Sequence, residues 1–484
     1  MAAVFVLYIL PFLAMAACYL IRREKPRFVL SLGVAAVHLA FSVAVFFESD
    51  VLGIKAGEYD ALSRYFLLII SNVYFWTMLV SGSFLKNTHL KSSASGIKYF
   101  YFFLNLFLLA NGAAVMSKSF IIYWVAAEAT TLSVAPLIFF YRDRDSLEAM
   151  WKYLFLVSVG IAFTFIGILF LAISAHNTIL EGRQLYFDEF VKNAALLNPV
   201  WLKAAFVFIF VGLSTKIGIA PMHQADVDAT SNSPSPIAAL MSGSLRITAL
   251  LGLLRFVQIT NSSSIAGFVK TSLIAGGLIS LVVVMIMMFK VKNYKRLLAY
   301  SSVEHLGIIV IGIGTGGLAF TGAMYHALYN SIIKVILFLN AGLIHQKFKS
   351  REIKNVHSVI NLMPLTGWIF FAAFLAISAI PPFGIFFSEL MIFEGIFKTG
   401  KPWLLASVLA FMFVIFIKMS LHILHMLHHE PDEKNILPPQ KEEFNIIHLV
   451  SLLLLALSVG AALLLPQSFR EIITRIAFDF GVAP

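Results

Sequence analysis

The chain alternates long apolar runs with short polar links almost from end to end. Apolar runs of roughly helix-spanning length lie near 2–21, 28–47, 62–84, 98–116, 118–140, 153–174, 200–221, 237–257, 266–289, 297–314, 317–345, 362–392, 403–427 and 445–466. A bilayer core about 30 Å thick takes about 20 helical residues. Within lipid an open strand would leave its backbone N–H and C=O groups unpaired, so such runs are helices. The pattern predicts an all-α polytopic membrane protein with about 14 transmembrane helices, numbered 1 to 14 in chain order. The links between them are too short for a soluble domain.

Composition agrees. Hydrophobic side chains make up 60% of the 484 residues and charged ones 13%, about half the usual charged share of a soluble domain. The single cysteine, Cys18, falls inside helix 1, which excludes disulfides and cysteine-ligated iron-sulfur clusters. Helix 1 has no basic residue before it and Arg22 and Arg23 after it, the reverse of a cleavable leader. The loops after helices 1, 3, 5, 9, 11 and 13 hold 4, 3, 3, 4, 4 and 2 Lys or Arg residues, 20 of the 36. The positive-inside rule makes that side cytoplasmic and puts both termini outside. The net charge of +11 is then mainly a topology signal, with no basic soluble face for nucleic acid.

Charge inside the membrane changes the picture. In "FIIYWVAAEATTLSVAPLIFF" the one formal charge is Glu128, and other helices carry Lys216, Arg246, Lys334, Lys418, Glu304, His305, His326, Glu389, His422 and His425. Each charge at mid-membrane costs roughly 2.5 to 3.5 kcal/mol, so such residues face a partner or water and mark an ion path. A structural ion pair is the alternative for Glu128 or Lys216 taken singly, and Arg246 can serve as a helix anchor. His422, His425, His428 and His429 approach the end of helix 13; they read as an interfacial cluster, without the ligand company of a zinc site. "GIGTGG" follows no strand, so Gly312, Gly314 and Gly317 read as a tight turn and not a dinucleotide loop.

Two helices are interrupted. The helix bearing Lys216 meets Pro221 and a polar stretch, and Pro381 and Pro382 break helix 12 before Glu389. Proline frees backbone carbonyls, and irregular backbone at membrane depth is tolerated where it lines a polar cavity. Paired broken helices in two halves of a chain point to a transporter built from repeats. The spacing of breaks and charges divides the chain into 1–97 (helices 1–3), 98–257 (helices 4–8), 266–427 (helices 9–13) and 428–484 (a loop, helix 14 and a short tail).

"WVAAEATTL", "STKIGIAPMH", "SPSPIAALMSG", "KRLLAYSSVEHLGII", "MYHALYNSIIKVILFLNAG" and "IPPFGIFFSELMIF" together resemble the antiporter-like subunits of respiratory complex I, energy-converting membrane-bound hydrogenases and cation/proton antiporters. "EATTL" and "SVEHLGII" are most similar to the component F type of hydrogenase four. The resemblance implies two inverted five-helix repeats with broken helices 7 and 12. It makes Glu128 the glutamate paired with Lys216, places His326 and Lys334 in a relay on helix 11, and makes Glu389 the terminal charge of helix 12. Glu304 and His305 match the helix 10 motif of the hydrogenase branch.

The sequence also departs from that family. Where H-x-W-L-P-D-A-H is usual, it keeps His223, Asp228, Pro234 and Pro236, replaces W-L-P by "ADV", and has Thr230 for the second histidine. Asn330 stands for a second helix 11 histidine, and can hold a water but not exchange a proton near neutral pH. Ile247 occupies the usual helix 8 lysine or histidine position with Arg246 beside it, and arginine stays charged.

Two unit charges about 7 Å apart at an effective dielectric of about 20 interact by roughly 2.4 kcal/mol, enough for one to reset its neighbour's protonation. The expectation is a proton-translocating subunit of a redox-driven complex, of complex I or membrane-bound hydrogenase and formate hydrogenlyase type. Glu128, Lys216, Lys334 and Glu389 form the path, supported by His223, Asp228, Arg246, Glu304, His305, His326, Asn330 and Lys418. No cofactor or metal is expected in this chain. Expected partners are other membrane subunits and a peripheral redox module with iron-sulfur clusters and nickel-iron or flavin and quinone sites, in a bacterial or archaeal cytoplasmic membrane. The alternatives are a subunit of a sodium/proton antiporter and a non-pumping membrane scaffold.

Overall fold

A computed structural model describes residues 2–47, 59–87, 94–429 and 442–482. Lys91, Lys434 and Lys441, three of the basic residues used to orient the chain, lie outside the described residues. The membrane helices are α1 (Phe5–Leu20), α2 (Glu24–Phe46), α3 (Ala61–Asn87), α4 (Ala94–Val115), α5 (Phe120–Ile138), α6 (Arg144–Ser174) and α7 (Pro199–Ile217). They continue as α8 (Ser235–Asn261), α9 (Ala266–Met288), α10 (Tyr294–Thr315) and α11 (Gly317–Phe348). Then come α12, in two pieces (Pro364–Ile377 and Gly384–Lys398), α13 (Pro402–His428) and α14 (Ile446–Leu463). Among the described residues, 12 helices are long and apolar enough to span a membrane, and Phe5–Leu20 and Pro364–Ile377 are shorter apolar ones. Every expected run thus has its helix.

Local chemistry sets the helix ends. Asn198 and Asn293 cap α7 and α10 by accepting from amides of the first turn, and Asp143 does so for α6; Pro199, at the first helical position, costs no hydrogen bond. Of the glycines expected to form a turn, Gly312 and Gly314 lie inside α10; the turn joining α10 to α11 is made by Gly316 and Gly317, whose φ of 80° and 52° glycine adopts freely. α6 and α7 pack backbone to backbone, because a Cβ on Gly160 would overlap Thr215 and one on Gly212 would overlap the Gly160 carbonyl.

Both breaks are present. α7 stops at Gly218 (φ 87°), passes the cis Ala220–Pro221 bond, and continues as the short helix Gln224–Asn232. α12 stops at Ile377, passes Ala379 (φ 54°) and the cis Pro381–Pro382 bond, and resumes at Gly384. The broken helices are the fourth members of the runs α4–α8 and α9–α13. An offset of five crossings reverses direction, so corresponding helices of the two runs enter the membrane from opposite sides.

Burial ranks the helices. α8, α10 and α11 are wholly enclosed along their membrane stretch, whereas α13 buries 22% of its own. The short tail after α14 forms an amphipathic helix, α15 (Gln467–Asp479), which buries Ile472, Ile473 and Ile476. Its flanking rings, Phe469 and Phe480, lie 4.4 and 4.8 Å from those of Phe46 and Phe320.

Candidate functional site

The first group of buried ions sits where α5, α6 and α7 meet. Glu128 Oε1 accepts a 2.7 Å hydrogen bond from Ser158 Oγ, and its Oε2 is buried without a partner. Lys216, on the last turn of α7 and 1% exposed, donates to the Ala127 carbonyl and, at 2.8 Å, to Thr131 Oγ1. Glu128 and Lys216 therefore share one stretch of α5 without direct ion-pair contact. Each is held by neutral oxygens of its neighbours, a hydroxyl for Glu128 and a carbonyl and a hydroxyl for Lys216.

Next along lies a pair that the sequence reading half missed. Arg246, at the start of the main α-helical part of α8 and fully buried, forms an ion pair with Asp226 in the continuation of α7. It also donates to Thr230 Oγ1 at 3.3 Å. Asp226 occupies part of the segment where related sequences have W-L-P, so two departures from the family pattern are each other's partner. Asp228, which keeps its place in that motif, is buried (8% exposed) and binds the half-exposed Arg296 at 2.7 Å. His223 is 7% exposed and lies beside Tyr300, with ring centroids 6.0 Å apart and the planes tilted by 52°.

The second group is built by α10, α11 and α12. Lys334 Nζ donates to Ser301 Oγ (2.5 Å) and to the Leu298 carbonyl (3.2 Å). One turn along α10, His305 Nδ1 lies 3.0 Å from His326 Nε2 and 3.8 Å from Glu389 Oε1. His326 Nδ1 in turn lies 3.0 Å from Ser388 Oγ. Glu304 and Glu389 both line a cavity of about 540 Å³ that also reaches His305 and is lined on another side by α13. Asn330 is buried, its side-chain oxygen without a partner.

Not every expected residue joins this line. Lys418 lies on α13 with its ammonium 4.3 Å from the centre of the Phe289 ring, a cation–π contact at the periphery. Lys295, counted among the basic loop residues, is instead 1% exposed and donates to the Ser233 carbonyl at 2.6 Å. Its signal in the sequence was faint: a lysine in the first turn of a helix reads as a surface residue.

A protein-family model described as "NADH:quinone oxidoreductase/Mrp antiporter, TM" matches residues 117–417. The chain belongs to this family. It is 33% identical over 357 residues to "Hydrogenase-4 component F homolog" of Methylacidiphilum infernorum (isolate V4), covering 72% of this chain and 74% of that one. It is 27% identical over 365 residues to "Hydrogenase-4 component B" of Escherichia coli (strain K12), covering 72% of this chain and 52% of that one. Among solved structures, a chain of the archaeal membrane-bound sulfane sulfur reductase superposes with a TM-score of 0.86 at 20% identity, covering 99% of this chain and 97% of that one. A chain of complex I from Thermus thermophilus superposes at 0.75 and 20% identity, covering 96% and 99%. The antiporter-like fold expected from the sequence is thus the fold of this chain, and its neighbours of that fold are subunits of multi-subunit membrane complexes.

Proposed function

We propose that this antiporter-like subunit moves protons across the cytoplasmic membrane of a bacterium or archaeon as part of a redox-driven complex of the hydrogenase or complex I kind. The observation that carries the reading is the line of buried ionisable groups running between the two broken helices. It passes from Glu128 and Lys216, by way of Asp226 and Arg246, to Lys334, Glu304, His305, His326 and Glu389. Buried polar atoms without protein partners mark the same route: Glu128 Oε2, Ser242 Oγ, Ser244 Oγ and Asn330 Oδ1. Such atoms are the usual partners of internal water, which bridges donors too far apart to touch.

In this reading Glu128, Lys216, Lys334 and Glu389 exchange protons, and His305 and His326 conduct. Arg246 stays charged and acts as a fixed electrostatic bias. Moving one proton against about 150 mV takes roughly 3.5 kcal/mol, which supports a redox module and further membrane subunits as partners. The repeat halves are 98–257 and 266–427, each with its own half-channel, and both termini lie outside.

The test is acidification of inverted membrane vesicles driven by the partner's electron donor. Lys216→Ala is expected to abolish acidification while the complex still assembles. Full acidification in that variant sinks the path. A sodium requirement for acidification would favour the sodium/proton antiporter reading.

A further inference from the structure

We infer that His305, His326 and Glu389 form a binding site for a zinc-like transition-metal dication, with Glu304 beside it. The three candidate donor atoms, His305 Nδ1, His326 Nε2 and Glu389 Oε1, all lie within 4.8 Å of one another. Two of their separations are 3.0 and 3.8 Å. Zinc bonds of about 2.0 to 2.2 Å in a tetrahedron set nitrogen and oxygen donors about 3.4 Å apart, between those two values. One ion can therefore bridge these atoms with small side-chain shifts.

The hydrogen bonds prepare one ligand for it. Ser388 Oγ donates its only proton to the Ile385 carbonyl at 2.9 Å, so in the 3.0 Å contact with His326 it accepts from Nδ1–H. In that arrangement His326 carries its proton on Nδ1 and a bare lone pair on Nε2. An oxygen acceptor behind a ligating imidazole is the usual outer-shell arrangement of a metal site. Two imidazoles with carboxylate oxygen suit zinc, where calcium and magnesium take all-oxygen sets.

Charge and space agree. Glu304 is 7% exposed, makes no hydrogen bond or ion pair among the described residues, and lines the same cavity of about 540 Å³ as His305 and Glu389. Two neighbouring buried carboxylates are costly when both are ionised, and one dication neutralises both. The cavity leaves room for a water or for Glu304 as the fourth ligand. Because the ligands come from α10, α11 and the second piece of α12, no contiguous motif announces them.

A bound ion would occupy the lone pairs of both histidines and lock any proton route through them. The lock rests on the proposed proton path, whereas the binding does not. The test therefore has two arms. The full-length chain, purified in detergent and stripped with EDTA, is titrated with Co²⁺ and with Zn²⁺. The expected result is one metal per chain, a tetrahedral Co²⁺ visible band, loss of both in His305→Gln and in His326→Gln, and no change in His425→Gln. Ser388→Ala removes one hydroxyl and keeps every ligand; it should weaken binding about 10- to 100-fold. No cobalt band in the native chain, or an unaltered band in His326→Gln with unshifted affinity in Ser388→Ala, overturns the site. In vesicles, Zn²⁺ is expected to stop acidification, at higher concentration in Ser388→Ala. Binding without inhibition would overturn the lock and the proton route through these histidines, and leave the site standing.

Discussion

Arg246 and Asp226 show how a buried charge is stabilised by a residue that looks ordinary in the sequence. Both are sealed from solvent, and among the described residues neither has another residue of opposite charge within ion-pair distance. Removing one partner from a buried ion pair leaves the other uncompensated, a loss of about 3 to 5 kcal/mol. Asp226→Ala is therefore expected to shift thermal unfolding of the purified complex strongly downward. Arg246→Met placed on top of it should recover much of the loss, since it removes the stranded charge. An Asp226→Ala protein as stable as the parent would mean that water reaches Arg246. The membrane cost of charge made Glu128, Lys216, Arg246 and Lys334 legible from the sequence, because a charge within an apolar run is conspicuous. Asp226 was not legible: it falls in a polar stretch between prolines, where an acidic residue costs nothing until the chain folds back under α8. Glu304 and His305 were legible only as types; their meeting with Glu389 across three helices is a tertiary fact.

The breaks in α7 and α12 were readable because proline within an apolar run has few outcomes. What holds the broken pieces was not. The first piece of α12 begins at Pro364, and its orphan amides are satisfied from outside the helix. Glu442 accepts from the Leu365 and Thr366 amides at 2.7 and 3.1 Å and from Thr366 Oγ1 at 2.5 Å, and it pairs with His448 of α14 at 3.2 Å. Burial pushes the Glu442 carboxyl up, but the hydrogen bonds from His448, Thr366 and Leu365 outweigh it and hold the group below the ordinary glutamate value of 4.5. A carboxyl lowered by folding contributes stability at pH above its unfolded value and loses it as pH falls through the lowered one. The clamp should thus be intact at neutral pH and released only below about pH 4.5. At pH 7, Glu442→Gln is expected to speed amide exchange in the first turn of α12 about fivefold, as for a helix cap worth about 1 kcal/mol. Exchange unchanged there, with α14 also unchanged, would assign the first turn's protection to packing alone. No reading of local pattern finds this contact, since the cap lies 76 to 77 residues away along the chain.

Number and order of crossings were the most legible feature, because hydrophobic length is a property of each run by itself. The helix in the tail was not legible for the converse reason: α15 buries Ile472, Ile473 and Ile476, spaced for one face of a helix among charged neighbours, so no single run stands out. Orientation is a consequence of all the loops together and can be measured directly. Cys18, the one native cysteine, is buried, so an introduced cysteine reports alone. Arg183, between α6 and α7, has a side chain 59% exposed, and Lys354, between α11 and α12, one 76% exposed. The odd number of crossings between these two loops puts them on opposite sides of the membrane. If the basic loops face the cytoplasm, a membrane-impermeant maleimide added to intact cells with the outer envelope opened should label Arg183→Cys and spare Lys354→Cys. Inverted vesicles should give the opposite result. Labelling of Lys354→Cys from outside would invert the whole chain and exchange the two sides of the proposed proton path. Labelling of both from one side would break the crossing count between them, and with it the inverted relation of α7 to α12.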